Sequence, residues 1–460
     1  MSISDVATPI LIGTKPPPAK LPSLWSVLLK TPANPFEFIP LPAFKKPIWE
    51  WKSFLGHQFV VSEPAGVKRV LLDNVANYPK TAGETKALGT ILGEGLLVSQ
   101  GEKWKSHRRL MAPSFDFKSI AAYTPAMVRS AERCADVWAG HGAGGEIDVE
   151  VEMTRLTLEV ISGVIFSSDA GELGHMVDKA LHGLNRRSQF DPLDLIPVFG
   201  PRRVKRKLAQ IRAGFGDMDV AMAKLIAARE RVQGDAPRDL LDRLIAARDS
   251  ETGVRLTNEE VRDELVIIFL AGHDTTSLAL TYTWYLLSQH PEVEAKLHAE
   301  LESTLGGRSP EHADLVNLPY TRMVLEEAMR LYPPAPGLSN RAVLADDEVS
   351  GMRIPRGANI AVVPWVLHRH HALWSKPETF DPERFSPERS KDRARFSYLP
   401  FGGGPRVCIG MALAMAEAQL LLATLAQRFR LKLVPEQEIV LINRITMRPR
   451  DGIRMTLEPR

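Results

Sequence analysis

The run Phe401-Gly402-Gly403-Gly404-Pro405-Arg406-Val407-Cys408-Ile409-Gly410 constrains this chain more than any other stretch of it. A glycine-rich loop there carries one cysteine to the start of a long apolar helix. Residues 409–429 set Met411, Leu413, Met415, Leu420, Leu421, Leu422 and Leu425 among helix-favouring Ala, Glu and Gln, and the spacing predicts a buried helix opening at about Cys408. Free backbone N–H groups and the helix dipole favour a thiolate at that place, the dipole by roughly 0.3 to 1 kcal/mol, and lower the thiol pKa. Gly402 to Gly404 leave no side chains to obstruct a flat ligand on one side of the sulfur, and Gly410 leaves room on the other. A phosphate-binding loop would follow its glycines with Lys-Ser/Thr, whereas this run continues Val407-Cys408.

Phe401, Gly404, Arg406, Cys408 and Gly410 fall on the fixed positions of a known motif, and the chain resembles the haem-thiolate monooxygenases, the cytochrome P-450 superfamily, over nearly its whole length. The resemblance implies a mainly α fold with small β-sheets, a triangular prism whose long central helix crosses the haem. It implies haem b (iron protoporphyrin IX) as cofactor, with Cys408 the axial ligand of the iron and Phe401, Gly402 and Gly410 beside it. It also implies a single haem domain over residues 46–460, after a proline-rich segment at 1–45. No stretch is left over for a fused reductase, so electrons are expected from a separate ferredoxin or flavodoxin with its NAD(P)H-dependent reductase.

Composition adds exclusions. With 44% hydrophobic residues, 25% charged and a net charge of +3, nothing in the bulk charge points to nucleic acid. Cys134 and Cys408 are the two cysteines, so a Cys408 bound to iron leaves no disulfide and suits a reducing cytosol. The apolar stretch Leu21 to Leu29 is too short for a transmembrane anchor, and Pro16, Pro17, Pro18, Pro22, Pro32, Pro35, Pro40 and Pro42 interrupt its surroundings. Asp5 and Gly13 spoil a signal peptide. A cytoplasmic protein without a membrane anchor is the expectation.

Along the chain, Pro47 to Ser53 and Gln58 to Ser62 read as a hairpin around Leu55-Gly56, and Pro64 opens a helix. Residues 80–96 read as a loop that, by resemblance, lines the substrate pocket. Helical periodicity recurs at 102–112, 119–138, 149–165, 172–187 and 201–232. The apolar, proline-punctuated run Phe190 to Phe199 resembles a lid over the substrate channel. Gly140, Gly142 and Gly145 spell a dinucleotide-binding pattern, but they follow a helix and precede the strand-like 146–149, the reverse of the order that function needs.

Thr257-Asn258-Glu259-Glu260 is a capping box whose helix can run to Gln289, a rod of roughly 45 to 50 Å. Its middle, Ala271-Gly272-His273-Asp274-Thr275-Thr276, disfavours helix by roughly 2 to 3 kcal/mol relative to Ala, and such a local violation marks a functional segment. Buried Thr commonly bonds back to the carbonyl one turn earlier. The resemblance implies instead that Ala271 and Gly272 border an oxygen-binding groove and that Asp274 and Thr275 are catalytic, handling protons. Dioxygen reduced at iron must take up two protons to release water rather than escape as peroxide; a hydroxyl holds the delivering water and a carboxylate relays protons from solvent. A thiolate axial ligand favours O–O cleavage.

Further residues take roles by resemblance. Glu327 and Arg330, three apart on a helix, form with Arg384 a buried structural triad, and Trp104, Arg108, Arg341 and Arg406 hold the haem propionates, for which a planar guanidinium fork is suited. His368, His370 and His371 have no carboxylate or cysteine close by in sequence to complete a metal site. Basic residues on two segments, Lys103 to Arg109 and Lys391 to Arg395, are expected to meet an acidic electron donor. The candidate pocket residues, from 80–96, 190–199, Ala271, 336–339 and Ile445-Thr446, are mostly apolar or small and favour a hydrophobic small-molecule substrate. The expected reaction inserts one atom of O2 into that substrate. A peroxygenase or isomerase, expected to lack the Asp274 and Thr275 pair, and a haem-binding sensor without turnover are the alternatives.

Overall fold

The computed structural model describes residues 17–21, 35–53, 56–167, 200–231, 239–443 and 445–460. The expected lid at 190–199, the periodic stretch at 172–187 and the hairpin turn at 54–55 lie outside the described residues.

Two strands, β1 (Ile48–Ser53) and β2 (Gly56–Val61), pair antiparallel as the alternation predicts, and Pro64 opens the short helix α1 (Pro64–Lys68). Residues 80–96, read as a loop, instead contain helix α2 (Ala82–Leu92), which ends where Gly93 takes a positive φ of 76°. Then come α3 (Gly101–Met111) and α4 (Phe117–Gly140). Asp116 caps α4 by accepting the Ser119 N–H, and Ile120, Tyr123, Met127, Ala131, Cys134, Ala135 and Trp138 recur on its buried face. After it, the turn with Gly142 and Gly145 leads into β3 (Glu146–Asp148) and α5 (Val149–Phe166), the strand following the glycines.

The periodic stretch at 201–232 is two helices, α6 (Gly200–Ala213) and α7 (Gly216–Arg231), because the chain turns at Gly214-Phe215 and buries Phe215 completely. The short helix α8 (Leu240–Ala246) precedes the central helix α9 (Asn258–Gln289), which opens with the expected reciprocal capping box between Thr257 and Glu260. Its length and mean hydropathy of 1.3 suffice to cross a membrane, yet 83% of that window is buried inside the protein, the mark of a core helix. Around it pack α5, α7 and two later helices, α10 (Pro291–Leu305) and α11 (Pro319–Leu331).

Small sheets complete the fold. Strands β4 (Arg341–Ala342) and β7 (Asn359–Ala361) extend the first hairpin into the order β1-β2-β7-β4, with β5 (Asp347–Val349) and β6 (Met352–Ile354) a separate ribbon between them in sequence. Helices α12 (Pro364–Leu367) and α13 (Pro387–Ser390) are single turns. The last long helix, α14 (Met411–Arg428), starts three residues after Cys408 rather than at it. It packs on α4 and feeds β8 (Phe429–Leu433), which joins β3 through β11 (Arg454–Pro459); β9 (Leu441–Asn443) pairs with β10 (Met447–Pro449).

Candidate active site

The cysteine loop is closed by its own backbone: the Cys408 N–H donates to the Phe401 carbonyl at 2.9 Å. Gly402 and Gly404 both take positive φ, 72° and 68°, which explains two of the glycines by conformation. A Cβ on Gly404 would also lie 1.9 Å from the Leu71 carbonyl oxygen, so this glycine serves close packing rather than clearance for a flat ligand. At Gly410 a Cβ would find only ordinary contacts at 3.9 and 4.0 Å, to Phe115 and to Cys408 Sγ, so the protein's own packing does not demand that glycine.

The side chain of Cys408 is accessible, but the protein around it desolvates the sulfur and pushes the thiol pKa up. The Gly410 N–H and the Arg108 charge pull it down without winning. The expected net lowering is therefore not achieved by the surroundings, since the helix dipole begins beyond the cysteine; a bound metal would supply it. Cys134 is buried in the core, where desolvation raises its pKa to about 12.

Above this loop the fold gathers cations. Arg406 lies over the Trp104 ring at 4.1 Å and donates to the Ser99 carbonyl at 2.8 Å, while Arg108 donates to the Val407 carbonyl at 2.7 Å. Arg341 is buried and its Nε has no hydrogen-bond partner. Lys80, which sequence reasoning missed, bridges backbone to backbone with Arg341 and donates through Nζ to the Leu97 carbonyl at 2.5 Å. Burial together with Arg341 and Arg108 brings the Arg406 pKa down to about 10, and burial with Arg406 and Arg341 brings Lys80 to about 8. The carboxylate felt by Lys80 and Arg341 is Glu84, itself held on the Asn340 N–H. Partly buried cations that depress one another need anions, and a donor set ending in an orphaned guanidinium N–H fits two carboxylates. Haem brings two, so the residues present fit it. The sole sequence signal for Lys80 was a basic residue among the small and apolar ones of the expected pocket segment.

Helix α9 splits the expected oxygen-groove residues between two faces. Ala271 is exposed and Thr275 half-buried on one open face, where the Thr275 hydroxyl donates back to the Ala271 carbonyl at 2.6 Å. At Gly272 a Cβ would lie 2.9 Å from Ile161 of α5, so the glycine admits a neighbouring helix. Asp274 points the other way and is buried; Thr446 Oγ1 donates to its Oδ2 at 2.6 Å and Arg448 pairs with Oδ1. Arg448 in turn lies 3.5 Å from Glu150. Thr446 is among the expected pocket residues, whereas Arg448 carries no local signal in the sequence.

Elsewhere, Glu327 accepts from Arg330 at 2.7 and 2.8 Å and from Arg384 at 3.2 Å, with Glu327 and Arg330 wholly buried. His368 Nε2 accepts the Leu399 N–H, His370 bonds the Lys46 carbonyl, and no cluster of metal-ligating side chains occurs among the described residues.

A family model for cytochrome P450 matches residues 15–456. The chain belongs to the cytochrome P450 family. Cyclooctatin synthase of Streptomyces melanosporofaciens is 36% identical to this P450 over 87% of the chain and 84% of its own length. Cyclooctat-9-en-7-ol 5-monooxygenase of the same organism is 36% identical over 82% and 81%. Carotene epsilon-monooxygenase of Arabidopsis thaliana is 30% identical over 90% and 82%. Among solved structures, the haem domain of cytochrome P450DA superposes with a TM-score of 0.79 at 26% identity, covering 90% of each chain. This P450 is thus a haem-dependent monooxygenase that uses O2 and a redox partner, with the mainly helical fold and small sheets that the motif implied.

Proposed function

We propose that this P450 inserts one oxygen atom into a predominantly hydrocarbon small molecule, by hydroxylation or epoxidation, with electrons from a separate ferredoxin or flavodoxin. The observation that carries the reading is the pairing of the Cys408 loop with the cation cluster of Lys80, Arg108, Arg341 and Arg406. That combination suits a ring bearing two carboxylates and taking a sulfur ligand. The substrate class follows the similar proteins, whose names specify cyclooctat-9-en-7-ol and carotene, and the small or apolar candidate pocket residues agree with it.

Bound haem supplies the iron at which O2 is reduced and split. The chain's part is to hold and to protonate. Cys408 would ligate the iron, and the four cations, with Trp104 behind Arg406, would hold the carboxylates. Ala271 and Thr275 line the open face of α9; with its proton engaged on the Ala271 carbonyl, the Thr275 hydroxyl offers its lone pairs to a water. Asp274, the acid nearest in sequence, is assigned the relay of protons from solvent; Arg448 stays charged and holds that carboxylate in place, with Glu150 at the start of α5 on its other side. Glu327, Arg330 and Arg384 are structural. The Asp274 and Thr275 pair favours the monooxygenase over the peroxygenase reading.

For the electron donor, the basic residues of α3 are less available than expected. Lys103 pairs with Glu94 and Arg109 with Asp249, whereas Lys391 and Arg395 are exposed. Docking is therefore assigned mainly to Lys391 and Arg395.

The test is spectroscopic and chemical. The reduced protein under carbon monoxide should show the red-displaced absorption of a trans thiolate, Cys408→Ala should abolish it, and label from 18-O2 should enter a hydrocarbon substrate selected by its shift of the haem band. A chain that keeps that absorption without Cys408, or turns over with peroxide but never with O2 and a donor, would refute the proposal.

A further inference from the structure

The loop joining α2 to α3, residues 93–100, is suspended between two charged regions. Toward α9 it offers amides: Glu94 N–H donates to Asp263 Oδ2 at 2.8 Å and Leu96 N–H to Glu264 Oε2 at 3.0 Å. Toward the cation cluster it offers carbonyls: Leu97 accepts from Lys80 and Ser99 from Arg406. The loop lies backbone-on against the helix, since a Cβ on Gly93 would fall 2.0 Å from Asp263 and one on Gly95 would fall 2.7 Å from Ile267.

Glu264 is wholly buried, and a buried carboxylate persists only when its oxygens are occupied. The oxygen not used by Leu96 lies 2.6 Å from Nδ1 of the buried His107, whose Nε2 lies 3.4 Å from Glu260. Burial alone would lower the His107 pKa, but its contacts with Glu264 and Glu260 outweigh that and raise it.

We propose that Glu264, held by His107, is a positioning residue that pins loop 93–100 to the central helix and so sets Lys80 and Arg406 toward the haem carboxylates. The proposal rests on reading those two cations as part of the carboxylate cradle. It gives a short hydrogen-bonded link, two residues deep, a role in cofactor retention.

Hydrogen exchange of the loop amides in the haem-loaded protein and the rate of haem release to an apomyoglobin acceptor separate the two halves. Glu264→Leu and His107→Leu should each speed exchange of the segment 94–99 by about tenfold, the loss of one hydrogen bond to a charged group, and should speed haem release alongside it. Should either single variant fail to fold, Glu264→Gln combined with His107→Gln keeps an acceptor for the Leu96 amide and a neutral partner behind it. This double variant should hold both rates within about threefold of the parent. Unchanged loop exchange in the leucine variants overturns the proposal, and so does faster exchange with unchanged haem release. Unchanged release in both Lys80→Met and Arg406→Ala, by contrast, would refute the cradle itself, whatever the loop amides do.

Discussion

The Glu327 triad and the cation cradle are two groups of withdrawn charge built on opposite principles. In the triad, Glu327 accepts two bonds from Arg330 and one from Arg384, the Asp381 N–H adds another, and Arg330 spends its remaining donors on the carbonyls of His368, Pro377 and Thr379. Each charge there is satisfied by protein. In the cradle, burial with Arg406 and Arg341 lowers Lys80, burial with Arg341 and Arg108 lowers Arg406, Arg341 keeps an orphaned Nε, and carbonyls stand where carboxylates would bind better. The contrast teaches how to tell a structural ion cluster from a binding site: the first closes on itself and the second leaves one sign of charge unanswered.

Breaking the closed cluster should have the largest effect. Glu327→Ala leaves two buried guanidinium groups without their carboxylate and should cost about 3–5 kcal/mol of unfolding free energy, measured by denaturant titration of the haem-free protein. In the open cluster the sign should differ. Arg406→Ala relieves repulsion, so the haem-free protein should lose less than about 1 kcal/mol or gain stability, while haem release accelerates at least about tenfold. Equal losses in the two haem-free variants would erase the distinction.

The smallest effect sharpens the comparison through pH. Lys80 has its folded pKa lowered to about 8 by burial and by Arg406 and Arg341, against an ordinary value of 10.5. From about pH 8 to 10.5 the unfolded chain therefore binds more protons than the folded one at this site, and haem-free stability should rise with pH across that window relative to Lys80→Met. Bound carboxylates favour the charged lysine, so the rise should shrink in the haem-loaded protein. A denaturation series over pH 7 to 10.5 on both forms measures it.

Much of the fold was legible in sequence, because its cues are local. The Thr257 capping box, the stripe of α4 and the glycine-led cysteine loop each draw on residues within one or two turns of each other. Errors arose where a distant partner decided the matter. Gly and Thr weaken the helical periodicity of α2, and packing against α6 restores the helix. The break at Gly214-Phe215 escaped notice because both helices keep helical composition, while burial of Phe215 requires the turn.

The site divides in the same way. By itself the sequence determined where the long central helix begins and ends, since the residues that start and stop a helix lie within a turn of its ends. Tertiary structure alone decided that Asp274 pairs with Thr446 and Arg448, that Gly272 admits Ile161, and that Lys80 joins Arg341 and Arg406 far away in the chain. Periodicity reports which way a side chain leaves its own element, whereas the partner it meets depends on how separate elements pack, and no local spacing encodes that distance.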